Sequence, residues 1–370
     1  MGINMVENLG KQAVDNSDQH PLEKMPSFEE RLGDSTPNGE EAEPLPMPSP
    51  VIADKYLSEE QRQLHNKRAE EEQKYTDAKL KEYNITPEEW EEVLAYKGSG
   101  YFIPSSVLRS IDLFELHAPD YGDMLERQEL LQNPEELLDS YRKMYSAMCK
   151  FGKKNKRPIS IKRVDSGLFT NERKKSHETE SFLSFTNSKD NSYAFQFAYD
   201  KGRGGADAVL LEGRLDAGLP CISFPEITKE TDGEAEILIP PFLSIEYGKE
   251  EGKYNGYPVY HIEISKKDDA QIPALSPERK RQVLNSDIAY RYYLEWYNLR
   301  IRFPSGVCPD GEKEEYDNLR AEFLAWQADF KNILCTEFSD IEKQIQLPSD
   351  EKWSKFFTFL GRILGRTGGD

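Results

Sequence analysis

The chain has 370 residues, 37% hydrophobic and 31% charged, with a formal net charge of −19, enough for one sizeable core or two modest ones. That acidity argues against nucleic acid or an anionic membrane as the main partner, because phosphate surfaces attract Lys and Arg; it permits a basic protein partner. No apolar run approaches the roughly 20 residues of a membrane helix, and the four cysteines, Cys149, Cys221, Cys308 and Cys335, form no CxxC pair, which argues against a zinc or redox motif.

Residues 1–50 carry ten carboxylates against three bases, together with Pro21, Pro26, Pro37, Pro44, Pro46, Pro48 and Pro50. Such a segment buries too little surface to offset its ordering entropy. It is read as disordered: a spacer, or a leader for secretion or for binding a chaperone. It has no apolar signal-peptide core. Val6 stands where N-myristoylation after Met1-Gly2 wants Ser or Thr, so that modification is not expected.

A charged helix is expected from Leu57 to Tyr83 with Ser58 at its start. A second begins at Thr86-Pro87-Glu88-Glu89, with cap, first-turn proline and acids on the positive dipole end. A third runs from Pro134 to about Phe151, with Leu137, Leu138, Tyr141, Met144, Tyr145 and Met148 on one face.

The texture then changes to short alternating or apolar segments: Ile159–Ile161, Phe182–Phe185, Tyr193–Phe197, Ala208–Glu212, Ala235–Ile239, Leu243–Ile245 and Val259–Ile264. All are read as strands separated by polar turns. The Gly-rich, basic Lys201–Gly205 is read as a flexible turn, since it lacks the strand–loop–helix context of a nucleotide motif. From Ser276 the chain reads helical again. Leu319, Phe323, Trp326, Phe330 and Ile333 make one buried stripe, and Trp353, Phe356, Phe357, Leu360, Ile363 and Leu364 a second. Helices first and strands afterwards imply an α+β fold. His177 and His261 have no partner set suggesting metal or nucleophilic catalysis and are read as structural.

Three elements carry polar residues at strand ends, where a side chain is held rigidly: Ile159-Ser160-Ile161-Lys162-Arg163, Ser184-Phe185-Thr186, and Glu234-Ala235-Glu236-Ile237-Leu238-Ile239-Pro240-Pro241. Each alone is weak; their order and strand context give the combination its value. Ala208–Glu212, then Gly218–Ser223, then Glu234–Pro241 resemble the second half of the bacterial mono-ADP-ribosyltransferase toxin and effector family, the Arg–Ser–Glu class with a Glu-x-Glu motif. Tyr96–Tyr101 and Leu108-Arg109 are similar to that family's first helix and following loop.

The resemblance implies N-terminal helices followed by a split antiparallel β-sandwich of the ADP-ribosyltransferase type, with a C-terminal helical region. The organisation expected is an acidic leader over 1–55, a helical linker over 56–85, a catalytic domain over 86–268 and C-terminal helices over 269–370. It implies NAD as co-substrate with no metal, and a protein acceptor modified on arginine. It implies a chain that is cytoplasmic in its producer, or secreted or translocated into a host cell. Arg163 would bind NAD with Val164 beside the nicotinamide. Ser184 and Thr186 would line the site, with Ser184 steadying Glu236. Glu236 would act on the nicotinamide ribose and Glu234 on the arginine acceptor, with the Pro225–Gly233 loop meeting the target. Where the family has an aromatic residue before the arginine, Gly after it and a small residue between Ser and Thr, this chain has Lys162, Val164 and Phe185. The alternatives are an NAD glycohydrolase, with water as acceptor, and an inactive fold serving as an interaction module. The leader is expected to be dispensable: a chain lacking residues 1–50 should release nicotinamide from NAD at the full chain's rate, and loss of soluble folded protein on that deletion would count against this.

Overall fold

The computed structural model describes residues 58–98, 101–109, 129–166, 176–200, 208–229, 235–266, 274–303 and 309–345. The leader, Lys201–Gly205, Cys308 and the stripe from Trp353 to Leu364 lie outside them. By contact the chain divides after Arg62; the described residues of the first unit are the opening turn of a helix, and the second, Gln63–Asp370, carries everything below.

Helix α1 (Glu59–Tyr83) packs through its C-terminal turns, with Thr76, Leu80 and Tyr83 buried. Helix α2 (Pro87–Lys97) starts as its sequence dictates: Thr86 Oγ1 accepts the Glu89 N–H at 3.3 Å, and the Thr86 N–H donates to the Glu89 carboxylate at 2.8 Å. After α3 (Phe102–Leu108) and the single turn α4 (Glu129–Gln132), α5 (Pro134–Lys154) begins with Asn133 Oδ1 accepting the N–H groups of Glu135 and Glu136. All six apolar residues expected on its inner face are buried.

The strands are β1 (Ile159–Ser166), β2 (Ser176–Glu178), β3 (Leu183–Thr186), β4 (Ala208–Leu215), β5 (Ile222–Ser223), β6 (Glu236–Ile239), β7 (Leu243–Tyr254) and β8 (Tyr257–Lys266). Between them lie α6 (Asn191–Asp200) and the short α7 (Phe224–Ile227). The strands pair in the order β2-β7-β8-β4-β1-β3-β6-β5. Every pair is antiparallel except β4 with β8, which lie side by side and run parallel. His177, expected in a polar loop, falls on β2 opposite Ile245.

The link between β1 and β3 is narrow. Where β1 and β4 pair over eight residues, β1 and β3 share the one pair Lys162↔Thr186. The sheet is therefore split into five strands and three that part company at this joint, and an opening forms between them.

The segment Tyr193–Phe197, read as a strand, is helical within α6. A five-residue alternating aromatic run fits a helix face as well as a strand, and capping decides: Asp190 Oδ1 accepts the Ser192 N–H at 2.8 Å.

The C-terminal helices α8 (Pro277–Leu284), α9 (Ile288–Arg302) and α10 (Asp310–Ile345) share the main core with α5. Tyr141 stacks on Phe182 with centroids 5.8 Å apart and meets Phe330 at 5.9 Å. Phe323, Trp326, Phe330 and Ile333 are buried as their spacing requires. At the other end of α5, Cys221 N–H donates to the Met148 carbonyl at 3.2 Å, and the absent Cβ of Gly152 leaves room for the Leu219 carbonyl, which would lie only 2.0 Å from it. No described helix is long and apolar enough to cross a membrane.

Candidate active site

A cleft opens at the joint between the two parts of the sheet. It is small and partly open to solvent, and is lined by Lys162, Arg163 and Val164 of β1, Ser184, Phe185 and Thr186 of β3, Glu236 of β6, and Tyr193 and Ala194 of α6. Arg163, Val164, Ser184, Thr186 and Glu236, singled out on three separate stretches of sequence, thus converge. Glu234 and Gly233 lie outside the described residues. His261, half-buried on β8 opposite Glu212, does not line the cleft.

Arg163 is only 6% exposed and is held on three sides. Its Nε donates to Asp165 Oδ2 at 3.1 Å, its Nη1 donates to the Ser184 carbonyl at 2.7 Å, and its guanidinium lies 5.8 Å from the Phe185 ring centroid. Phe185 thereby gives the cation an aromatic face. Nε and one Nη1 N–H of the five guanidinium donors make these two bonds. Val164, part of the cleft lining, is buried and belongs to a small apolar cluster. Lys162 joins β1 to its neighbours: Nζ donates to Asn191 Oδ1 and to the Lys189 carbonyl at 3.4 Å, and pairs with Glu212 at 3.6 Å.

Glu236 is 7% exposed and opens β6, where its Cα partner on β3 is Thr186. Ser184 is paired with Leu238, two residues further along, which makes it a diagonal neighbour of Glu236 on the same face. Thr186 Oγ1 accepts the Ser188 N–H at 3.0 Å, and the Asn187 N–H donates to the Ala235 carbonyl at 3.0 Å. Ala235 itself has φ +46°, a left-handed conformation. For a residue with a Cβ this costs about 1 kcal/mol, and the β6–β3 ladder that begins at the next residue holds it there.

A second buried guanidinium, that of Arg109, is tied to the segment just before β3. Arg109 Nε donates to Ser181 Oγ at 3.1 Å, and the buried amide of Gln327 on α10 donates to the carbonyls of Val107 and Arg109 at 2.6 and 2.8 Å. The protein packed around Arg109 lowers its pKa; Tyr96 opposes this, and the charge of Arg163 lowers it further. Arg109 stays protonated all the same, and its charge and that of Arg163 are felt by one another. Sequence reasoning had Arg109 only within a loop, and missed Asp165, Tyr193 and Ala194. Asp165, two residues after Arg163 in an alternating strand, was the findable one, because i and i+2 share a face.

No protein-family model and no curated protein matches this chain. Solved structures similar to it include the Vis toxin, an ADP-ribosyltransferase from Vibrio splendidus, at 18% identity over 58% of this chain and 89% of the toxin, TM-score 0.37. Plx2a, an ADP-ribosyltransferase toxin from Paenibacillus larvae, gives 14% identity over 53% and 96%, TM-score 0.35. The Clostridium limosum C3 exoenzyme gives 10% over 53% and 94%, TM-score 0.35. At identities and TM-scores this low, the reading of the site rests on its own geometry.

Proposed function

We propose that the cleft binds NAD and that the protein is a mono-ADP-ribosyltransferase, moving ADP-ribose to a target protein on arginine. One observation carries the reading: a buried, oriented guanidinium and a buried carboxylate, Arg163 and Glu236, line the same small cleft with two hydroxyl side chains between them.

That pairing suits this co-substrate. A diphosphate is met by charge-assisted bonds from a fixed guanidinium, and a second cation, Arg109, deepens the positive field. Cleavage breaks the bond between the ribose C1′ and nicotinamide; the electron pair leaves with nicotinamide, and positive charge grows on the ribose. Glu236 stabilises that charge, as carboxylates do in glycoside chemistry. Its backbone is fixed by the β6–β3 ladder, so the carboxylate needs no reorganisation as the charge develops. Ser184, on the diagonal, is assigned to steady it. Glu234 is assigned to the acceptor: a guanidinium is protonated in water and a poor nucleophile, and a carboxylate two residues before Glu236 orients it or takes its proton. The chain's formal charge of −19 favours a basic target, and its acidic, Pro-rich first 50 residues suit a translocated effector.

The test is to incubate the full chain with labelled NAD and a cell lysate while following nicotinamide release and protein labelling together. Glu234→Gln is expected to suppress labelling by about tenfold or more while sparing most nicotinamide release, since water needs an orienting base less than arginine does. Nicotinamide release without labelling by the unaltered protein would favour the glycohydrolase, and neither activity would favour the interaction module. Equal loss of both activities in Glu234→Gln would overturn the division of roles.

A further inference from the structure

One wall of the cleft is not part of the sheet. Tyr193 and Ala194 reach it from α6, which lies against β1 and β3 and is braced from its far side as well. Its N-terminal end is held by the Asp190 cap and by Lys162 Nζ on Asn191. Behind it, Phe195 faces a pair of tyrosines: Tyr254 at 5.7 Å between centroids, nearly parallel at 23°, and Tyr257 at 4.9 Å and 41°. Together with Val164, Ala194, Ala208, Leu210 and Val259 these rings form a small cluster separate from the main core. Three of the cleft's residues, Val164, Tyr193 and Ala194, belong to this cluster or adjoin it.

The tyrosines stand at the tip of the β7–β8 hairpin, and the sequence makes that tip rigid. Asn255 and Gly256 have φ +49° and +89°, the two left-handed positions of a two-residue type I′ turn, for which Asn-Gly is the preferred pair. Tyr254 and Tyr257 flank the turn as direct Cα partners, so their rings share one face. Further down, the register shifts between Tyr247 and Glu250 and again between Glu250 and Gly252. Each shift sharpens the twist of the ribbon and re-aims its end. The tip is thus directed onto α6 by its own ladder.

We propose that the Tyr254–Tyr257 tip, acting through Phe195, is a positioning device for the cleft: it sets where α6 holds Tyr193 and Ala194, and so how tightly the nucleotide binds. This rests on reading the cleft as an NAD site. Arg163, Ser184 and Glu236 are carried by the β1, β3 and β6 ladders, which do not run through the tip. Releasing α6 therefore weakens binding and leaves the reacting groups in place.

The experiment uses the full chain and compares Tyr254→Ala/Tyr257→Ala with Tyr254→Phe/Tyr257→Phe. It measures KM for NAD and kcat for nicotinamide release, alongside amide hydrogen exchange over α6, β3 and β6. In the alanine pair KM should rise roughly tenfold with kcat within about threefold, as expected for loss of binding geometry without loss of transition-state contacts. Exchange should quicken in α6 alone. The phenylalanine pair keeps both rings and should behave as the original. Phe195→Leu, which keeps the burial and removes the ring, should give the same split in milder form, and it stands in for the alanine pair should that fail to fold. An unchanged KM, or kcat falling as far as KM rises, would overturn the proposal. An unaltered chain that neither binds NAD nor releases nicotinamide would sink the NAD reading itself, a result distinct from active wild type with unmoved variants.

Discussion

Glu236→Gln is expected to cut nicotinamide release and protein labelling together, by roughly a hundredfold or more, the size seen for loss of one preorganised electrostatic group. The substitution keeps the shape of the side chain and removes its charge. The carboxylate is 7% exposed and stands opposite Thr186 at the first position of β6, so the protein fixes it before any ligand arrives. The left-handed Ala235 just before it, tied by the Asn187 N–H, sets the angle at which the strand begins. A group prepared in this way acts on charge that exists only in the transition state. The loss should therefore appear in kcat, with KM for NAD little changed. Thermal unfolding of the variant should stay close to that of the original, since an amide replaces the carboxylate in the same space. Nicotinamide release that survived Glu236→Gln would remove this residue from the chemistry and, with it, the proposed transferase.

How far the sequence reached depended on how local each signal was. Helix starts were legible because caps are local: Thr86 with Pro87 and Glu89, Asn133 with Pro134, and Ser276 with Pro277 all carry their hydrogen bonds within three or four residues. The strands holding Arg163, Ser184 and Glu236 were legible from short apolar runs with polar ends. What brings those ends together was not. The joint at Lys162↔Thr186 is a single long-range pair, and nothing in either strand's composition announces that the sheet divides there. Nor could spacing indicate that Gln327, on a helix more than two hundred residues away, would hold the Arg109 carbonyl. The misread α6 is a third kind of failure. Tyr193–Phe197 satisfies the period of a strand and, over so short a length, that of a helix face. Its cap at Asp190 was the signal that separates them, and reading it would have put Tyr193 and Ala194 beside the site.

Arg163→Lys is the sharper test of how the cleft holds its ligand, because it keeps the charge and changes only the geometry. The guanidinium spends its Nε on Asp165 and one Nη1 N–H on the Ser184 carbonyl, and a planar fork of five donors suits bidentate recognition of a diphosphate. An ammonium on a flexible stem cannot satisfy the carboxylate, the carbonyl and a ligand in those directions at once. The Lys variant should show kcat/KM for NAD reduced by roughly a hundredfold, about 2.7 kcal/mol, most of it as a higher KM. Unpairing the Ser184 carbonyl should also lower stability, by about 1–3 kcal/mol. Equilibrium NAD binding measured in a Glu236→Gln background, where turnover does not interfere, separates the two effects. Should Arg163→Lys lower the unfolding temperature yet bind NAD as tightly as its parent, Arg163 is a strand-to-strand tie, and the diphosphate lies against other residues. Should binding fall while the fold holds, the fixed fork at the joint of the split sheet is what recognises the nucleotide.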